Sequence, residues 1–175
     1  PDAAVKESKD RVESAIKNSG FQFPGHRITV NLAPADLRKE GPTYDLPIAI
    51  GIMLAAGEVV ADVSQCVFLG ELALDGKLRH ASGILPMIAL ARERGIRIAY
   101  VPAIDAPEAA LVPDMTVYPV ETIGALLRHL AGFAPIAPAV QATIAPPTAA
   151  ECGGTDFAEI RGQEHVKRAL EIAAA

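Results

Sequence analysis

The chain has 175 residues, half of them apolar and 21% charged, with a formal net charge of −5. That length accommodates one domain of roughly 100 to 150 residues plus a tail. The longest apolar run, around Leu46 to Ala56, falls well short of the roughly 18 to 20 residues that cross a bilayer. The negative balance argues against this chain acting alone as a nucleic-acid binder, because neutralising phosphates is the main sequence-independent source of that affinity. Cys66 and Cys152 make neither a disulfide framework nor a metal-ligand cluster, which fits a reduced, cytoplasmic setting. The opening residues from Pro1 to Ser8 lack an initiator Met and a signal-peptide pattern, so the chain is expected to be part of a longer protein.

In chain order, Val5, Val12, Ala15 and Ile16 recur at helical spacing among charged residues, and Gly20 stands where a left-handed residue ends a helix. Arg27 to Leu32 alternates Ile28, Val30 and Leu32 with Thr29 and Asn31, the pattern of a half-buried strand. A loop follows to Tyr44. Asp45 to Gly57 predicts a nearly buried helix, with Asp45 as N-cap, Pro47 in the first turn and Gly57 past the end. Cys66 to Leu74 and Lys77 to Arg79 flank Asp75-Gly76, which predicts a hairpin with a two-residue turn. A helix from Gly83 to Arg94 follows, with Ser82 as its simplest N-cap. The remaining order is a strand at Ile96 to Val101, a short helix near Pro107 to Leu111, a strand at Met115 to Tyr118 and a helix at Glu121 to Leu130. This alternation predicts an α/β fold with a mostly parallel second half.

From Gly132 to Gly154 the composition turns to Pro, Ala, Thr and Gly and reads as a partly extended linker. A helical pattern resumes at Asp156, with Val166, Leu170 and Ile172 on its apolar side. The expected boundaries are a domain over 1–132, a linker over 133–155 and the opening of a second domain over 156–175.

Three blocks carry a resemblance: Pro1 to Ser8, Arg27 to Gly41, and Ile160 to Ala175. Together they resemble the magnesium chelatase-related AAA+ ATPases of bacteria, the YifB or competence protein ComM group. The resemblance implies a domain similar to the proteolytic domain of Lon, with the ribosomal S5 domain 2-like fold, followed by the first helix of an AAA+ module. It also implies an N-terminal hairpin ahead of Pro1. For the complete protein it implies ATP and Mg as cofactors, a homo-hexamer of neighbouring subunits, and DNA as a partner, handled by a branch-migrating helicase during natural transformation. No membrane role is implied.

The Lon likeness makes a protease reading testable. Gly41-Pro42-Thr43-Tyr44-Asp45 is similar to the Gly-Pro-Ser-Ala-Gly nucleophile loop, with Thr43 at the serine position. The segment Gly70 to Leu85 is similar to the stretch ending in the catalytic lysine, and places Leu85 there. A hydroxyl needs an adjacent base to become a nucleophile, and leucine is none, so Thr43 and Leu85 read as a degenerate dyad with no catalytic residue. Lys77 reads as a solvated charge, and His80 as a surface residue with a minor claim to act as substitute base.

The loop from Asp36 to Gly41 is either solvated or a contact surface, with Arg27, Arg38 and Lys39 as DNA or subunit contacts and His26 as an addition. Ile160, Arg161, Gly162 and Gln163 are implied to lie beside the adenine of ATP in the complete protein. They cannot hold phosphates without a Gly-x-x-x-x-Gly-Lys-Ser/Thr loop, and none occurs in this sequence. No ATPase activity is therefore expected of this fragment, and no clustered His, Asp or Glu predicts a metal site. The leading expectation is a non-proteolytic accessory domain of an ATPase. A DNA-binding module in its own right, or an active Ser/Thr peptidase, are the alternatives.

Overall fold

A computed structural model describes residues 3–32, 42–141 and 159–174, with side chains from Ser8 onward in the first stretch. The chain divides into two compact units, Pro1–Thr143 and Ile144–Ala175.

In the first unit, α1 (Ala3–Asn18) precedes a 3-10 turn (Pro42–Tyr44) that runs directly into α2 (Asp45–Ala55). There follow β1 (Cys66–Phe68), β2 (Glu71–Leu72), β3 (Leu78–Arg79), α3 (Ile84–Glu93), β4 (Ile98–Pro102), α4 (Ala106–Ala109), β5 (Thr116–Val120) and α5 (Ile123–Leu130). Strands β1, β4 and β5 form a parallel sheet with β4 central, in the register Phe68, Tyr100, Tyr118. The expected α/β architecture with a parallel second half is present.

Side chains on successive strand residues point to opposite faces, and the sheet uses both. Phe68 and Tyr100 join a core with Val12, Ile16, Leu46, Met53, Leu72 and Leu126, from α1, α2, β2 and α5. Ala99, Val101 and Val117 join a second core with Ile84, Ile88 and Ala109, from α3 and α4. Covering a parallel sheet on both faces is the usual solution for strands that are apolar throughout.

Four local expectations are corrected. Residues 27–32 form no strand: Ile28 packs toward the core and Val30 is 43% exposed, as the alternation suggests, but none of the described strands pairs with the segment. Period-2 patterning selects a face and cannot supply a partner. The run Cys66 to Leu74 is split, because Gly70 takes φ +154° beside Pro102, sending β1 to the parallel sheet and β2 to the antiparallel pair with β3.

The turn of that pair has three residues. Ala73 N–H donates to Lys77 O (2.9 Å), enclosing Leu74, Asp75 and Gly76, and only Gly76 is at positive φ, +82°. This is the glycine-bulged alternative to the two-residue turn. Finally, Ser82 does not cap α3; Gly83 occupies the cap position in the left-handed region without a side-chain bond.

The first nine described residues of the expected linker, 133–141, are docked on this unit. Ile136 N–H donates to His129 Nδ1 (2.8 Å), and Ala139 N–H donates to Val117 O (2.7 Å), along the outer strand β5. Residues 142–158, including Cys152, lie outside the described residues. In the second unit, α6 (Glu164–Ala174) carries Val166, Leu170 and Ile172 at 42, 50 and 62% exposure. Among the described residues, no helix is long and apolar enough to cross a membrane.

Candidate functional site

The Thr43 turn is built on a buried carboxylate. Asp45 is the first residue of α2 rather than its N-cap, which is Tyr44, and Asp45 is fully buried. Its carboxylate accepts Ser8 Oγ at 2.6 Å, Arg11 Nε at 2.8 Å, Arg11 Nη2 at 3.1 Å and the Leu72 amide at 3.4 Å. The fork-like contact from Arg11 is the strong, charge-assisted geometry. Ser8 and Arg11, three apart on α1, reach it together because such residues share a helix face. Leu46 N–H also donates to Gly70 O (3.3 Å), so α1, α2 and the approach to β2 converge on this turn.

Thr43 is half-buried in that turn, and its hydroxyl bonds to none of the described residues. Beside it, Tyr44 lines a groove of about 360 Å³ formed by Ile28 to Leu32 and one side of α2. The lining contains neither lysine nor histidine nor carboxylate. Leu85 lies on α3, 37% exposed, and its amide donates to Glu108 on α4 (3.3 Å). No position of α3, from Ile84 to Glu93, carries a lysine, so this helix offers no amine to a hydroxyl in any register.

Two histidines are held elsewhere. The exposed ring of His80 contacts Asp105 through Nδ1 (2.5 Å), and the second oxygen of Asp105 accepts Ala81 N–H (3.0 Å). This hydrogen bond, then the charge of Asp105, raises the His80 pKa above its ordinary value. His129 behaves oppositely: burial lowers its pKa. Its Nδ1 accepts the Ile136 amide, so its neutral tautomer carries the proton on Nε2, which faces Tyr100 Oη at 3.2 Å. Tyr100 stacks between Phe68 and Tyr118, and burial pushes its phenol up to about 12.

Of the expected contacts, Arg27 and His26 are exposed, while Arg38 and Lys39 lie outside the described residues. Ile160 to Gln163 form the turn before α6, with Gly162 and Gln163 both at positive φ and Lys167 Nζ donating to Ile160 O. Among the described residues no group of three or more metal-ligating side chains assembles. Sequence reasoning missed the partners of Asp45, His80 and His129. Only Ser8 and Arg11 left a signal, in their helical spacing.

The model of the family described as subunit ChlI of Mg-chelatase matches residues 1–105. The chain belongs to the Mg-chelatase ChlI family. Similar relatives include competence protein ComM of Haemophilus influenzae, 44% identical over 179 residues, covering all of this chain and 35% of that protein. The uncharacterised protein YifB of Escherichia coli is 37% identical over 176 residues, covering all of this chain and 34% of YifB. An archaeal Lon protease of Methanothermobacter thermautotrophicus is 27% identical over 130 residues, covering 71% of this chain and 20% of the protease. This ChlI-family chain thus spans about a third of the length of its ComM and YifB relatives.

Proposed function

We propose that this chain is the non-proteolytic accessory domain of a Mg-chelatase-like AAA+ ATPase, with the S5 domain 2-like fold of the Lon protease domain. The observation that carries the reading is the setting of Thr43. The turn keeps a hydroxyl, the adjoining groove that Tyr44 lines carries no lysine, histidine or carboxylate, α3 has no lysine, and the carboxylate of Asp45, two residues on, is engaged by Ser8 and Arg11. None of the described residues bonds this hydroxyl, and a hydroxyl without an adjacent base is not activated at neutral pH. The cleft then serves as scaffold.

The likeness to ComM supports a DNA-processing, cytoplasmic parent: a homo-hexameric helicase that moves strand junctions during natural transformation, with ATP and Mg bound by the complete protein. Ile160, Arg161, Gly162 and Gln163 fit only the adenine side of such a nucleotide. Their turn offers an apolar side chain and a backbone fixed by Lys167, and no phosphate cradle. ATP hydrolysis would supply the driving energy, while the chain's own residues orient that edge of the pocket. Residues 1–132 would be the accessory domain, 133–155 the connection and 156–175 the entry to the motor.

The test is junction migration by the full-length protein. We expect ATP-dependent movement of a four-strand DNA junction, equally fast after Thr43→Ala. Failure to move the junction with ATP would remove the helicase reading.

A further inference from the structure

Asp105 occupies the N-cap position of α4, yet its side chain makes no capping bond there. Forgoing a cap costs a helix stability, and here the carboxylate instead spends one oxygen on Ala81 N–H and the other on His80 Nδ1. Asp105 is only 4% exposed while the His80 ring is 60% exposed. A buried carboxylate is thus devoted to fixing the orientation of a solvent-facing imidazole, the arrangement by which outer groups set a working histidine's tautomer. With Nδ1 committed to Asp105, Nε2 is the free position.

His80 borders a cleft of about 450 Å³ whose lining also includes Lys77, Arg79, Ile104, Glu121 and Thr122. Lys77 and Arg79 make only loose, exposed pairs, at 3.4 Å to Asp75 and 3.9 Å to Glu71, of a kind that contributes little and yields easily to a stronger anion. The Thr122 hydroxyl accepts the Ala125 amide (3.1 Å) and retains its own proton to donate. Two exposed cations, an oriented imidazole and a hydroxyl donor suit tetrahedral oxygens, whereas a metal cation would meet Lys77 and Arg79 directly.

We propose that this cleft is a phosphate-binding site, with His80 Nε2 as the oriented donor and Lys77, Arg79 and Thr122 completing the shell. The groups facing His80 are Asp105 and Glu108, which favour its charged form, together with Lys77, Arg79 and Glu121 around the cleft. Binding therefore weakens as pH rises through the His80 titration. The site is independent of the Thr43 reading, so its failure leaves the accessory-domain proposal standing.

The test is an NMR titration of the 175-residue chain below the ordinary imidazole value of 6.5. Inorganic phosphate is used in one arm and a single-stranded oligonucleotide in the other, with chloride matched for ionic strength. We expect saturable shifts at Lys77 to Ala81 and at Thr122, weakened about tenfold or more in His80→Asn and in Lys77→Ala/Arg79→Ala, which spares the Asp105 contact. Saturation by phosphate alone assigns a small-ion site, and displacement of phosphate by the oligonucleotide assigns a strand backbone; either supports the proposal. Shifts equal to those in chloride, or saturation unaffected by both variants, would overturn it.

Discussion

Asp45 decides the geometry of the Thr43 turn through its contacts with Ser8, Arg11 and Leu72. It is fully buried, while the Arg11 side chain retains 20% exposure. Asp45→Ala removes the acceptor shared by the Ser8 hydroxyl and the buried Leu72 amide, and a buried donor left without its acceptor costs about 1 to 3 kcal/mol, a loss that urea denaturation measures. The two histidines give a second residue-scale test with opposite signs. The raised pKa of His80 contributes stability that is complete below 6.5 and lost as pH rises through its folded value. The lowered pKa of His129 contributes stability present above 6.5 and lost as pH falls through its folded value. NMR titration should find His80 above and His129 below the ordinary range, and the Tm profile should lose its alkaline slope in His80→Asn and its acidic slope in His129→Gln.

At the scale of elements, the β2–β3 turn is fastened to the end of α1. Asn18 Nδ2 donates to Leu74 O (2.6 Å), and a Cβ on Gly76 would stand 2.2 Å from Ser19 Oγ and 3.2 Å from Ala15 O. Gly76 also has φ +82°, so Gly76→Ala is expected to destabilise by about 1 kcal/mol or more. Adding Ser19→Ala should recover the part due to contact and leave the backbone part; equal losses in the single and double variants would contradict this account. The docked segment 133–141 has its own test. Ala139→Pro removes the donor to Val117 O, a bond worth about 1 kcal/mol, and should speed amide exchange and proteolysis within that segment while α1 and α2 stay protected.

Most helices and strands were legible because each carries its own period and its own boundary signal, as in α1, which Gly20 follows, and α5, which Thr122 opens. The break at Gly70, the lack of a pairing strand for residues 27–32 among the described residues, and the partners of each buried carboxylate were not. Those depend on residues distant in sequence: Asp45 on Ser8 and Arg11, Asp105 on His80. The lack of an amine on α3 was half legible, through Leu85, and it extends over the whole helix from Ile84 to Glu93.

For the whole molecule, a ChlI-family chain that spans about a third of its ComM and YifB relatives is proposed to serve as a scaffold without peptidase activity. The most direct measurement is hydrolysis of fluorogenic peptides by the full-length protein with ATP and Mg, compared with Thr43→Ala. Both proteins are expected to match the buffer background. Cleavage above background that disappears with the threonine hydroxyl would contradict the proposal.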